Sequence, residues 1–415
     1  MHSPSRFCAP VFASALALSL TLTLPFPALA GHLVINADQS DTASRKVWGE
    51  VVEQFRHDNP DIDVSFNVFA REAYKTQLRQ WLTSAAPDVV FWYAGERMHY
   101  FVQRQLLEDV SSLWTQELKR DMANSLSAVS VDGKQYGIPY SYYHWGIFYR
   151  KDLFEKAGIT NPPKTWPQFL EAGKKLRAQG ITPVALGSKA LWPAAGWFDY
   201  LNLRLHGIDF HRQLMAGKIA WTDARVHATF DQWGQLLKGG FFLENHAAYD
   251  WQEAQPFLFQ GKAAMELMGN FASTSFPPDL ADKIGFFPFP EIDAKVPRAE
   301  EAPLDSIHIP QKAQNKKDAR RFLQYVAQAQ VQEKLNAVLL QIPAHARAKV
   351  ADNRFLQAGQ SMLAGAHGLS QFFDRDTDSD MAQFGMKAFA EFLAHPERLD
   401  AILKSLEAKR LASFK

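Results

Sequence analysis

Four aspartates at alternate positions, Asp374, Asp376, Asp378 and Asp380, form the densest run of possible metal ligands in the chain and imitate the opening of a calcium loop. Such a loop needs glycine at its sixth position and glutamate at its twelfth, where Ser379 and Gly385 stand instead. The reading that fits better is a helix cap from Ser379 or Asp380, with the other charges in water. The 13 histidines are scattered, and His144, His206 and His308 sit beside apolar residues, as core or surface histidines do. A glycosidase requires two carboxyl groups roughly 5 to 9 Å apart across the scissile bond. Glu96 with Asp305 or Asp374 has the residue types for that, but no spacing singles out such a pair. A Gly-rich phosphate loop, G-x-G-x-x-G, H-E-x-x-H and G-x-S-x-G are all absent, which removes the common nucleotide and hydrolase signatures. Aromatic residues are abundant at 13%, with 11 Trp and 31 Phe, enough rings to line a ligand site as well as a core.

The one cysteine, Cys8, precedes an apolar run at residues 11–24 that closes with Ala28-Leu29-Ala30, and Arg6 lies in front of it. This is the pattern of a secretory signal, and the run is shorter than the roughly 20 residues that span a bilayer. Cleavage after Ala30 is expected to release a chain starting at Gly31, exported to the periplasm, soluble and without a lipid anchor. That chain has no thiol, which excludes a cysteine nucleophile, a zinc-thiolate site and an iron-sulfur cluster and leaves stability to a large core. Taking Arg6 from 45 basic residues leaves 44 against 44 acidic ones, so no overall field steers a nucleic acid. At 415 residues the chain is expected to divide into two lobes, because single cores stop growing at about 250 to 300 residues.

The elements alternate. A short apolar strand near Val34 leads through a polar loop to a helix with Val47, Val51, Val52 and Phe55 on one face, stopped by Asp58-Asn59-Pro60. Ile62, Val64, Phe66 and Val68 alternate with polar residues as a half-buried strand does, and a helix marked by Tyr74, Leu78 and Leu82 follows. Val89-Val90-Phe91-Trp92-Tyr93 is continuously apolar, which suits an interior strand of a mostly parallel sheet. In such sheets ligands sit beyond the carboxyl ends of strands, where Trp92 and Tyr93 lie. Further strands are expected at residues 147–149, 182–186, 263–268 and 306–309, helical pattern at 198–237, one long helix at 316–336, and a closing helical stretch from Met381.

Several of these segments together resemble the extracellular solute-binding proteins of ABC importers, family 1, which includes maltose- and other sugar-binding proteins. The resemblance rests on Pro87-Asp88-Val89-Val90-Phe91-Trp92, on Gly137-Ile138-Pro139-Tyr140 running into Phe148-Tyr149-Arg150-Lys151-Asp152-Leu153-Phe154, on Phe259-Gln260-Gly261-Lys262-Ala263-Ala264-Met265 with Gly269-Asn270-Phe271, and on Ser306-Ile307-His308-Ile309-Pro310. It implies the type II periplasmic binding protein fold: two α/β lobes joined by three chain crossings, with a ligand cleft between them. The crossings are implied near residues 140–145, 286–290 and 340–343. That gives residues 31–142 and 288–342 to the N-terminal lobe, and 143–287 and 343–415 to the C-terminal lobe.

The resemblance also implies the site. Trp92 matches a ring position, Tyr143 a polar cleft position, Trp192 a loop after the strand at Leu186, and Phe271 a stacking aromatic with Asn270 beside it. Asp41, Glu96, Asp305, Asp374 and Arg375 are candidates for hydroxyl hydrogen bonds. A pyranose offers apolar C–H faces to flat rings and hydroxyls to directional partners, so such a set suits a mono- or oligosaccharide. The acidic residue expected in the first crossing is replaced by Tyr142-Tyr143-His144, so maltodextrin specificity is not inherited. The implied partners are a carbohydrate and the membrane permease of an ABC importer, with a monomeric protein, no cofactor and no metal. A secreted glycoside hydrolase or lyase is the alternative from another class, and a non-sugar solute in the same fold is a third.

Overall fold

The computed structural model describes Met1, residues 31–39 and residues 41–414. The expected secretory signal lies outside the described residues. Two sheets organise the rest. The first has six strands in the order Ile342–Pro343, Ile138–Tyr142, Leu304–His308, Val89–Tyr93, Gly31–Ala37 and Ile62–Val68. Its three N-terminal strands run parallel, and Leu304–His308 runs against its neighbours. The second has four strands in the order Ile284–Phe287, Trp145–Arg150, Ala263–Gly269 and Thr182–Val184. Each sheet carries its own core. Trp48, Tyr74, Phe91 and Phe322 belong to one, and Phe148, Phe169, Trp197 and Phe389 to the other.

The first crossing is short, because Tyr142 ends a strand of one sheet and Trp145 begins a strand of the other. The second comes later than the expected 286–290. Phe289 packs in the second core, and Ala299–Glu301 pairs in parallel with Gly368–Ser370. The chain joins the first sheet only at Leu304. Arg204 is the physical reason: its guanidinium donates to the carbonyls of Phe289 and Ala299 and pairs with Glu300 at 2.7 Å, holding residues 289–300 on the second lobe. The assignment of residues 288–303 to the N-terminal lobe is corrected accordingly.

Three further expectations change in detail. The helix expected at 316–336 is two helices, Lys316–Val326 and Ala329–Leu339, because Gln328 adopts an extended backbone (ψ 138°) between them. The pattern at 198–237 resolves into Trp192–Met215 and Ala224–Lys238, the first bent at Gly207 where φ is 78°. Asp378, not Ser379 or Asp380, caps the helix Ser379–Ala394 by accepting from the amides of Asp380 and Met381.

Candidate functional site

The carboxyl edge of the first sheet faces the carboxyl edge of the second. Tyr93 and Tyr142 end strands there, and Leu304–His308, being antiparallel, begins there, so Asp305 lies opposite Tyr93 and Ser141. On the other side Trp145 starts its strand paired with Gly269, whose strand delivers Asn270 and Phe271 to the same edge. Loops beyond strand ends leave backbone and side chains free to meet a ligand, which is why open α/β sheets bind there.

Two adjoining chambers of about 40 and 30 Å³ lie between these edges and share Arg71, Tyr143, Trp192 and Phe271 as walls. Asp41, Asp305, Trp48, Trp251 and Gln341 are among the further walls of the first, and Tyr93, Lys75, Trp145, Phe372, Asp374 and Arg375 complete the second. The rings come mainly from the second lobe. Phe271 meets Tyr143 edge-on at 5.1 Å and Trp251 at 5.3 Å, and Trp145 stacks on Phe372 at 4.6 Å. Edge-on and offset pairs of this kind hold the rings in fixed orientations.

Arg375 links the walls. Its guanidinium donates to Asp305 at 3.0 Å and to the Tyr143 hydroxyl at 2.7 Å, and lies 3.9 Å from the centroid of the Tyr93 ring. Arg97 pairs with Asp374 at 2.6 Å. Asp41 caps the helix Thr42–Asp58 by accepting from the Ser44 amide at 2.8 Å and receives the Ser44 hydroxyl. Asp38, buried just behind, has its carboxyl pushed up to about 6, first by burial and further by Asp305, with Arg71 opposing.

Eight of the ten expected residues fall at the interlobe surface or on the contacts that build it, and seven of them line a chamber: Asp41, Tyr143, Trp192, Phe271, Asp305, Asp374 and Arg375. Asn270 is the eighth. It is buried beside them and donates to the carbonyl of Leu340 in the third crossing, tying second lobe to hinge. Trp92 and Glu96 are placed elsewhere. Trp92 turns into the first core, its indole donating to the Arg97 carbonyl at 3.2 Å and packing near Phe101, because successive strand residues point to opposite faces and Tyr93 takes the cleft side. Glu96 bonds His99 at 3.0 Å and borders a separate groove beside Tyr100. Replacing Tyr93 by Ala is therefore expected to weaken ligand binding by about tenfold or more, and Trp92→Phe by less than about threefold, as calorimetry would read.

Arg71 and Trp251 were not expected. Each is the first residue of a helix, Arg71–Thr83 and Trp251–Phe259. A signal for Trp251 was present: Asp250 and Glu253 form a capping box, which marks a helix start and so the residue it presents.

A larger space of about 720 Å³ lies on the opposite face of the crossing strands. Tyr142, Leu304 and Ile342 face it while their neighbours Tyr143, Asp305 and Gln341 face the small chambers. It lacks the ring cluster. Two of the noted histidines are held by structural contacts: His308 bonds Ser306 and the Tyr136 carbonyl, and His144 packs on Phe286. Among the described residues no group of three His, Cys, Asp or Glu side chains is placed to hold a metal ion.

The family profile described as "Bacterial extracellular solute-binding protein" matches residues 39–333. The chain belongs to that family. It is 25% identical over 270 residues to an uncharacterized ABC transporter extracellular-binding protein of Pyrococcus horikoshii, covering 63% of this chain and 59% of that one. A second Pyrococcus horikoshii protein of the same description is 28% identical over 67% of this chain and 64% of its own. The chain thus spans somewhat under two thirds of these two relatives. A multiple sugar-binding protein of Streptococcus mutans is 23% identical over 69% of each chain.

The fold superposes on the bacterial solute receptor AcbH with a TM-score of 0.86 and 26% identity, covering 93% of this chain and all of that one; that receptor is described as having an exclusive substrate preference for β-D-galactopyranose. A chitin oligosaccharide binding protein superposes at 0.83 with 20% identity, over 93% of this chain and 99% of that one. The architecture is therefore the mixed α/β periplasmic binding protein fold, as the resemblance implied. Members of this family are binding components of ABC transporters and not catalysts, so the glycosidase alternative falls away. No helix among the described residues is long and apolar enough to cross a membrane.

Proposed function

We propose that the chain captures a neutral carbohydrate of single-ring size between its lobes and presents it, from the periplasm and as a monomer, to the permease of an ABC importer. The observation that carries this is a wall of rings supplied mainly by the second lobe, closed by charges from both lobes that are already matched in pairs at or just behind the chamber walls. Arg375 is matched by Asp305, Arg97 by Asp374, Lys75 by Glu72 at 3.0 Å, and Arg71 lies 3.9 Å from Asp38. A site without surplus charge favours a ligand without charge, because an ionic solute would leave one buried group uncompensated. Matched ions still offer strong hydrogen bonds to hydroxyls.

Size supports a small ligand. The chambers together hold about five water-sized positions at the 10 to 15 Å³ each requires. That is the scale of one ring and short of an oligosaccharide chain. The galactopyranose preference of AcbH, a fold neighbour at 26% identity, agrees with this reading. Capture then follows as closure of two lobes around a solute that touches both, a shift in population toward the closed form.

Differential scanning fluorimetry tests it. A free hexose or pentose at 1,000 times its Kd is expected to raise stability by about 4 kcal/mol and hence the melting temperature by several degrees. Glycerol 3-phosphate and longer oligosaccharides are expected to leave it unshifted, with no sugar consumed in any sample. A shift produced only by an anionic solute would overturn the neutral-sugar reading.

A further inference from the structure

The two lobes also touch through a charged pair at the edge of the second chamber, in which Asp374 lines the chamber and Arg97 stands behind it. The turn and helix after Tyr93 belong to the first lobe, and the segment 373–380 to the second. Arg97, in Glu96–Gln103, donates to Asp374, in Phe373–Asp376, at 2.6 Å, with both side chains more than nine-tenths buried. Arg97 is braced from behind: its carbonyl accepts from the Trp92 indole, and its guanidinium lies over the Trp92 and Tyr93 rings at 5.2 and 5.7 Å. The approach is close. A side chain at Gly95, where φ is 77°, would come within 2.9 Å of the Arg375 carbonyl. Further out, Arg79 donates to Ser379 at 2.9 Å and stands 3.9 Å from Asp380.

We propose that Arg97 is a positioning residue for ligand capture, biasing the lobes toward the closed arrangement by pairing with Asp374 without contacting the ligand. Arg97 lines neither chamber, so its effect must pass through the geometry of the lobes. Both partners of the pair are protein groups on opposite lobes, and parting the lobes separates them. Separation returns both charges to water, so the pair favours closure by the amount that its short charge-assisted bond and the rings beside Arg97 exceed the desolvation of the two ions. Burial alone would raise the Asp374 carboxyl, yet Arg97, with Lys75 and Arg375, holds it below the usual range. The inference rests on the reading of capture by closure of the lobes, while its test concerns only the ligand-free balance between two arrangements, so the two can fail separately. Where the competent form is only partly populated, apparent affinity falls by that fraction.

The experiment is an interlobe distance measurement on the ligand-free full chain carrying Cys8→Ser, with spin labels on Gln80→Cys and Gln383→Cys. Both positions are exposed, on helices that meet where Arg79 of one bonds Ser379 at the start of the other. In Arg97→Gln the long-distance fraction is expected to rise several-fold over the parent, with far-ultraviolet circular dichroism unchanged. An unchanged distance distribution would overturn the proposal. Should Arg97→Gln fail to fold, the double variant Arg97→Met with Asp374→Asn leaves no unpaired charge and is read in the same way: a rise supports the latch, and no rise refutes it.

Discussion

Arg375→Met is expected to weaken ligand binding by at least about 100-fold, close to 3 kcal/mol. The guanidinium connects a carboxylate of one lobe, Asp305, to a phenol of the other, Tyr143, and lies over the Tyr93 ring, 3.9 Å from its centroid. Methionine fills comparable volume and packs on the rings, but it leaves Asp305 buried without its cation and the Tyr143 hydroxyl without its donor. A cation removed from a buried pair costs more than the pair contributes, because the remaining charge has lost both its partner and water. Adding Asp305→Asn is expected to recover thermal stability without recovering affinity. Isothermal calorimetry with the sugar identified by fluorimetry, alongside unfolding of each variant, separates the two effects; full recovery of binding in the double variant would show that Arg375 serves only to neutralise Asp305.

Glu266→Gln is expected to stabilise the protein by on the order of 3 kcal/mol at pH 7 and to flatten its decline toward alkaline pH. Glu266 sits in the strand Ala263–Gly269, 1% exposed, with Gln255 donating to it at 3.4 Å, and burial pushes its carboxyl up to about 8. Below the ordinary value of 4.5 both folded and unfolded chains carry the proton. Between there and about 8 the unfolded chain has released it while the folded chain retains it, so stability falls as pH rises through that window. The buried imidazoles of His144 and His308, pushed down to about 3 and about 4, act in the opposite direction and only below 6.5. From 6.5 to 8 the carboxyl is left without that counterweight. Urea denaturation of parent and variant at half-unit steps should show a stability difference growing by about 1.4 kcal/mol per pH unit. A constant difference across the range would mean that Glu266 is ionised in the folded chain.

The alternation of strands and helices was legible because period-two and helical patterns report which face is buried. Parity at the cleft was not. Val89–Tyr93 is buried on both faces, so its apolar run carries no information about whether Trp92 or Tyr93 looks forward. The break at Gln328 was silent for a similar reason, since apolar spacing continues through Phe322, Val326, Val331 and Leu335 as if one helix persisted. Asp305 and Arg375 could be named as hydrogen-bonding candidates, yet their bond joins residues 70 positions apart and has no local signature. The late second crossing was hidden in the same way, because it depends on Arg204 meeting Glu300 across 96 positions.

That crossing bears on how the molecule could be rebuilt. With Ala299–Glu301 clipped to Gly368–Ser370 and Arg204 gripping both ends of the preceding segment, residues 289–301 are held to the second lobe, and a swing of the lobes is expected to flex the few bonds before Leu304. The exposed stretch around Ala294 and Lys295 lies off the pivot, so new chain ends or an inserted reporter domain there would leave the swing of the lobes untouched.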